Sequence, residues 1–116
     1  MSLIINDPFS KFLDESVHVA SVFTASVNLL YHPKEIFAGF RTTVHVGNVR
    51  QTAVIEKILP PTLGMKSNET ATVEFRFIRN PEYIKVGTRI LFREGRTKGI
   101  GRVTKVEAFE AGSLER

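Results

Sequence analysis

Cysteine and tryptophan are both absent from the 116 residues, and no apolar run approaches the length of a membrane-spanning helix. The missing thiols exclude disulfides, thiolate metal sites and cysteine nucleophiles. A membrane helix needs about 20 apolar residues, and a secretory signal needs a basic segment followed by an apolar one; neither is visible. We therefore expect a chain that has no membrane partner and works in the cytoplasm.

Sequence motifs for catalysis and metal binding are missing as well. There is no G-x-x-x-x-G-K-[ST] loop, and Gly99-Ile100-Gly101 lacks the third glycine of a dinucleotide site. His18, His32 and His45 do not have the spacing of metal ligands, and no serine lies in a nucleophile elbow. The sequence predicts no catalytic residue, no metal site and no cofactor within this chain.

Positive charge is concentrated in one part of the chain. Residues 76–105 contain nine Lys and Arg but only two acids, a net charge of +7, whereas the whole chain carries +4. Such a segment indicates an acidic or phosphate-bearing partner if its side chains share one face. If they point to several faces, they only keep the surface soluble. A hairpin over residues 89–102 would bring at least part of the charge together.

Alternating apolar and polar residues predict four strands between residues 17 and 78. They cover residues 17–31, 40–46, 49–58 and 69–78. Gly47-Asn48 is a plausible tight reversal between the second strand and the third. In the first strand, one set of alternate residues is expected to face the interior, namely Phe23, Ala25, Val27, Leu29 and Tyr31.

The stretch 92–106 predicts a closing hairpin with a basic, glycine-rich turn. Residues three apart, such as Ile100 and Val103, face opposite sides of a regular strand. We therefore expect a β-bulge near Gly99–Gly101 that would let both face the interior. An ordinary solvated hairpin, whose charges only keep a sheet edge soluble, is the alternative.

About six strands joined by turns, with no long helix, predict an all-β fold, either a sandwich or a small closed antiparallel β-barrel. Closure is favoured because it removes unpaired strand edges. The expected barrel domain covers residues 20–108, between a lead-in at 1–19 and a C-terminal tail at 109–116. Asp7-Pro8 predicts a short helix in the lead-in, and Met1-Ser2-Leu3 is typical of vector-derived sequence.

Three stretches carry a resemblance to a known family: FTASVNLL at 23–30, Gly39-Phe40, and the basic, glycine-rich stretch at 92–106. In this order and spacing they resemble the third, C-terminal β-barrel domain of the translational GTPases of the elongation factor Tu and elongation factor 1-alpha superfamily. Further stretches are more similar still to the GTP-binding protein 1 and 2 subfamily, namely 44–47, 50–53, 75–78 and 81–83. One glycine fewer lies between Glu94 and Thr97 than in the bacterial signature.

The resemblance implies a module of a larger GTPase, whose GTP and Mg²⁺ are bound in sequence outside this chain. In the family this barrel packs against the GTPase domain and a second barrel, and one side contacts aminoacyl-tRNA. The implied RNA-binding or interdomain residues are His32, Lys34, Gly47, Asn48, Arg93, Glu94, Gly95, Arg96 and Lys98. For Arg93 and Glu94, a structural pair that closes the barrel end or meets the GTPase domain is the alternative. For the whole chain, the alternative is a stand-alone β-barrel that binds RNA or protein.

Overall fold

A computed structural model describes residues 17–59 and 64–108. The expected helix after Asp7-Pro8, the tail at 109–116 and most of the lead-in lie outside these ranges. The strands are β1 (Val17–Tyr31), β2 (Ile36–Phe37), β3 (Arg41–Val46), β4 (Val49–Ile58), β5 (Gly64–Met65), β6 (Thr70–Phe77), β7 (Glu82–Lys85), β8 (Arg89–Glu94) and β9 (Thr97–Ala108).

Six of these strands form a closed antiparallel ring in the order β1-β6-β4-β3-β8-β9, and β9 returns to β1. The predicted all-β barrel is therefore confirmed. Strand β7 pairs with the first residues of β1. Strands β2 and β5 form a separate two-stranded sheet. Within the described ranges no helix is long and apolar enough to cross a bilayer.

Strand β1 is the longest element and pairs with three others, β6, β7 and β9. Its alternate residues Phe23, Ala25, Val27 and Leu29 are buried, as the alternation predicts. Tyr31 is 43% exposed, contrary to expectation. The register shifts between Leu29 and Tyr31, so one extra residue, Leu30, reverses the direction of the side chains that follow.

Aromatic rings fill the interior. Phe23 lies between Phe75 and Phe77, with ring centroids 5.3 Å from each, and Phe92 contacts Phe75 at 5.7 Å. These separations are typical of favourable aromatic pairs. All four rings are buried, so these phenylalanines of β1, β6 and β8 form one core rather than an exposed binding platform.

The hairpin β8–β9 is regular, so the prediction of an extra residue in β9 near Gly99–Gly101 is wrong; the bulge beside Gly99 lies on β1, at Leu30. Pairing runs without a shift from Arg89 opposite Arg102 to Glu94 opposite Thr97. Ile100 points outward and Val103 inward, as a regular strand requires. On β9 the register changes later, between the partners of Thr24 and Ala25, where Thr104 is the extra residue.

Gly99 and Gly101 face the interior of the barrel. A Cβ at Gly99 would overlap the Phe92 ring, and one at Gly101 would overlap the carbonyl oxygen of Ser26 and lie 2.8 Å from Val27 Cα. Both glycines thus permit close packing. The signature residues at these positions shape the core rather than a binding surface.

The small sheet of β2 and β5 was not predicted. Ile36 and Met65 pair across it and are both buried in the core cluster. Two-residue strands are too short to show a periodic pattern, and proline-rich sequence before β5 indicated only a loop. This small sheet is formed by the segment after β1 and the segment between β4 and β6. It lies at the same end of the barrel as the β8–β9 turn.

Candidate nucleic-acid interface

The outer face of the β8–β9 hairpin carries an ordered set of basic side chains. Its outward residues pair as Arg89 with Arg102, Leu91 with Ile100, and Arg93 with Lys98. A two-residue turn at Gly95-Arg96 joins the strands, with Gly95 at a φ of 59°. We call the exposed residues Arg89, Arg93, Arg96, Lys98 and Arg102 the basic ribbon.

Like charges stand directly opposite each other in this ribbon. Cross-strand pairs of the same sign are destabilising unless a counter-charge is present. Within residues 17–59 and 64–108 the only ion pair joins Arg76 on β6 to Glu56 on β4, away from the ribbon. None of the five cations of the basic ribbon is ion-paired within the described residues, and the hairpin keeps a net positive charge, which suits an anionic partner.

At the turn, the basic ribbon forms a small concavity. Tyr31, Arg93, Gly95, Arg96 and Lys98 line it, and its volume is about 430 Å³. We call it the tip pocket. The bulge at Leu30 turns Tyr31 outward, and this places a half-exposed phenol beside three cations. A phosphate can be neutralised there while an aromatic ring lies within reach of its sugar or base.

His32 holds the neighbouring loop in place. Its backbone N–H donates to Ser67 Oγ at 2.9 Å, and Ser67 Oγ donates back to the His32 carbonyl oxygen at 3.0 Å. The Nδ1 atom lies 2.5 Å from Thr97 Oγ1, and the ring packs edge-on against Phe40. Partial burial lowers the pKa of His32, because desolvation disfavours the imidazolium. The side chain thus supports the loop, and its neutral form is favoured.

Arg93 and Glu94 do not form an ion pair in the part of the chain that the structure describes. The barrel end is fastened instead by Thr42, which is fully buried and donates through Oγ1 to the Arg93 carbonyl oxygen at 2.9 Å. The backbone of Arg93 is therefore structural, while its side chain is exposed in the tip pocket.

The sequence-predicted residues fall into two groups along the barrel axis. The turn end of the barrel holds most of them, namely His32, Lys34, Arg93, Glu94, Gly95, Arg96 and Lys98. Gly47 and Asn48 form the predicted turn between β3 and β4, and this turn lies at the opposite end of the barrel. The outer face of β8 and β9 connects the two groups, since Gly47 lies beside Arg89 in a second concavity.

This second concavity, which we call the outer groove, has a volume of about 690 Å³ and crosses β1, β9, β8 and β3. Its lining includes Asn28, His45, Arg89, Leu91, Ile100 and Arg102. Sequence reasoning missed it as a site. A two-residue turn at Gly95-Arg96 determines which residues pair across the hairpin. The sequence could therefore have predicted that Arg89 lies opposite Arg102 and Leu91 opposite Ile100.

Comparison with known proteins finds close relatives but no matching family model. Over 97 residues, or 84% of the chain, the sequence is 54% identical to GTP-binding protein 2 of Homo sapiens and of Mus musculus. The chain is homologous to a segment of GTP-binding protein 2. It is also 42% identical over 84 residues to GTP-binding protein 1 of Xenopus laevis. The chain spans 16% of the length of the first two relatives and 12% of the third.

These identities confirm the resemblance to the GTP-binding protein 1 and 2 subfamily. Two of the stretches that carry this resemblance, 50–53 and 81–83, contact each other in the structure. Gln51 is buried, and its Nε2 donates to Glu82 Oε2 at 2.6 Å. Gln51 Oε1 accepts from the backbone N–H groups of Arg79 and Asn80 at 2.8 and 3.2 Å. This part of the motif anchors the β6–β7 turn and is structural.

Proposed function

We propose that this chain is the third, C-terminal barrel of an elongation-factor-like GTP-binding protein and that it binds RNA through the basic ribbon. Transfer RNA is the expected RNA, and GTP hydrolysis with Mg²⁺ takes place in sequence outside the chain, in the cytoplasm. One observation carries the proposal: Arg93, Arg96 and Lys98 converge beside Tyr31 without an acidic partner in the described residues. Homology to GTP-binding proteins supports the larger context.

The arrangement favours recognition of the RNA backbone. Arginine and lysine neutralise phosphates and release counterions, which gives affinity without reading sequence. Double-stranded RNA is recognised largely by shape, through phosphates and 2′-hydroxyls. The basic ribbon runs from the tip pocket towards Gly47, so a backbone that follows it would reach both groups of predicted residues. The GTPase domain and the second barrel would then pack on faces that the ribbon leaves free.

The decisive test is charge reversal in the tip pocket. The double variant Arg96→Glu and Lys98→Glu, and a control with Lys57→Glu and Lys85→Glu, undergo the same change in net charge. Both control lysines are exposed, on β4 and β7. Fluorescence anisotropy with labelled tRNA should give at least about a tenfold weaker affinity for the tip variant only, because two phosphate contacts become repulsions.

An equal loss in both double variants would show general attraction rather than a site and would contradict the proposal. Circular dichroism of each variant checks that the barrel is intact. The alternative of a stand-alone barrel has a separate test. An antibody against this chain should detect a polypeptide above roughly 35 kDa in a source lysate, as expected of several domains; a band at 13.0 kDa would favour the stand-alone barrel.

A further inference from the structure

We propose that the outer groove binds one unpaired nucleotide of the RNA, with its phosphate between Arg89 and Arg102 and its base against Leu91 and Ile100. This inference rests on the proposed function. It adds a second site, on the side of the barrel rather than at its tip, and predicts that an RNA with an unpaired nucleotide binds better than a perfect duplex.

The first support is the banded pattern of the hairpin face. An arginine pair, an apolar pair and a second cation pair follow one another along β8 and β9. Arg89 and Arg93 are four residues apart on one strand, so the two cationic bands are separated by about 13 Å. Between them, Leu91 and Ile100 form an apolar floor. An RNA strand, with its regularly spaced phosphates and flat bases, matches alternating charged and apolar bands.

The second support is the hydrogen bonding of the arginine pair and its lack of an ion-pair partner among the described residues. Arg102 Nη1 donates to the Gly87 carbonyl oxygen at 3.0 Å, which orients the guanidinium and leaves its other N–H groups free to donate. Arg89 stands directly opposite, and neither forms an ion pair with a described acidic residue. Two guanidinium groups on one row, of which Arg102 is held by a hydrogen bond, form a two-sided receptor for phosphate.

The third support is the exposed apolar floor with polar groups beside it. Ile100 is 44% exposed although it stands in the middle of a paired strand. On one side, Asn28 Nδ2 donates to Thr70 Oγ1 at 3.0 Å. The side-chain oxygen Oδ1 of Asn28 can therefore accept from a base edge. On the other side lies His45, paired with Leu91. A base can thus contact carbon on its face and polar atoms at its edge.

Barrel closure favours a nucleotide over a peptide as the occupant. Over the groove β1, β9 and β3 are paired on both sides, and β8 is paired on both sides from Ile90 onward, so these four strands offer almost no free edge to which a peptide could add as an extra strand. A nucleotide needs no strand edge, because it binds to the face of a sheet through its phosphate and base. The volume of about 690 Å³ lies within the range of small-ligand sites.

The test compares two labelled RNA hairpins of equal length, one fully paired and one with a single unpaired 4-thiouridine in the stem. Binding of the 116-residue chain is measured by anisotropy over a series of salt concentrations. We expect about tenfold tighter binding of the hairpin with the unpaired nucleotide. Photo-cross-linking and mass spectrometry should place the 4-thiouridine on the peptide that contains Ile100.

The groove variant Arg89→Gln and Arg102→Gln should remove this preference and lower the salt slope for the unpaired hairpin by about 0.7 per lost phosphate contact. Ile100→Ser should reduce the preference without a change in charge. The matched control, Lys57→Gln and Lys85→Gln, should keep it. The tip variant Arg96→Glu and Lys98→Glu should weaken both hairpins alike.

Equal affinity for the two hairpins would overturn this inference, while tip-dependent binding of the paired hairpin would leave the proposed function standing. No binding of either hairpin would refute both. If the groove variant weakened both hairpins equally, its arginines would be general backbone contacts and no nucleotide pocket would exist. Tighter binding of a glutamate-rich peptide than of the unpaired hairpin at equal salt would assign the groove to an acidic protein segment.

Discussion

Replacing Gly101 by alanine should destabilise the barrel strongly, although the change adds one methyl group. The new Cβ would overlap the Ser26 carbonyl oxygen and lie 2.8 Å from Val27 Cα and 2.9 Å from the Ser26 carbonyl carbon. All three atoms belong to the backbone of β1. That backbone pairs with β9 on one side and β6 on the other over these residues, so it has no free direction in which to move.

Overpacking of a well-packed interior costs about 1–3 kcal/mol, and a clash with fixed backbone belongs at the upper end. An unfolding entropy of about 2.1 cal/mol/K per residue corresponds, for 116 residues, to roughly 4 °C in Tm per kcal/mol. Gly101→Ala should therefore lower Tm by about 12 °C.

Gly95→Ala is the matched control. Gly95 has a positive φ of 59°, but a Cβ there meets no atom within 4 Å. Its cost is the conformational one alone, about 1–2 kcal/mol, or roughly 4–8 °C. Thermal unfolding followed by circular dichroism measures both variants. If Gly101→Ala lowered Tm no more than Gly95→Ala does, the close approach of β1 to β9 would not constrain the fold, and the reasoning would be refuted.

Two further predictions concern the polar side chains of His32 and Gln51. Because burial lowers the pKa of His32, the unfolded chain binds a proton more readily, and the stability that His32 contributes is present above its unfolded pKa and declines as pH falls through that value. Urea midpoints at pH 7.5 and 5 should differ less in His32→Gln than in the parent chain, and an unchanged difference would assign the pH dependence to other groups. Gln51→Leu should cost about 1–3 kcal/mol, because Arg79 N–H and Asn80 N–H lose their acceptor. Urea unfolding measures this cost, and a loss as small as that of the exposed Thr52→Val would contradict the anchoring role.

The sequence determined the strands of the barrel closely because their signal is local. Alternation placed β1 and β4 at their observed bounds, and Gly47-Asn48 marked the turn between β3 and β4. Alternation fails where a strand contains a bulge. A strand without a bulge would put Tyr31 in the interior, and this prediction is wrong. The bulge at Leu30 arises from pairing with β9, a partner far away in sequence.

The candidate site was predictable in composition but not in arrangement. Counting charges identified Arg96 and Lys98, and the hairpin turn could have fixed Arg89 opposite Arg102. Nothing local indicated that Tyr31 would lie beside the turn, because this depends on the same bulge. The two-residue strands β2 and β5 were invisible for a related reason: burial of Ile36 and Met65 comes from tertiary packing.

Strand β1 also has a consequence for how the chain acquires its fold during synthesis. The strand is made first among those described, yet its partners on the ring are β6 and β9, and Ala25 pairs with Val103. At about 5–20 residues per second, a ribosome needs roughly 4–16 s to make the intervening residues. Throughout that interval the edge of β1 that faces β9 lacks its ring partner, and the other edge lacks its partner until β6 has been made. This barrel is therefore a domain that closes only when its last strand arrives, and its early strand needs protection from other unpaired edges until then.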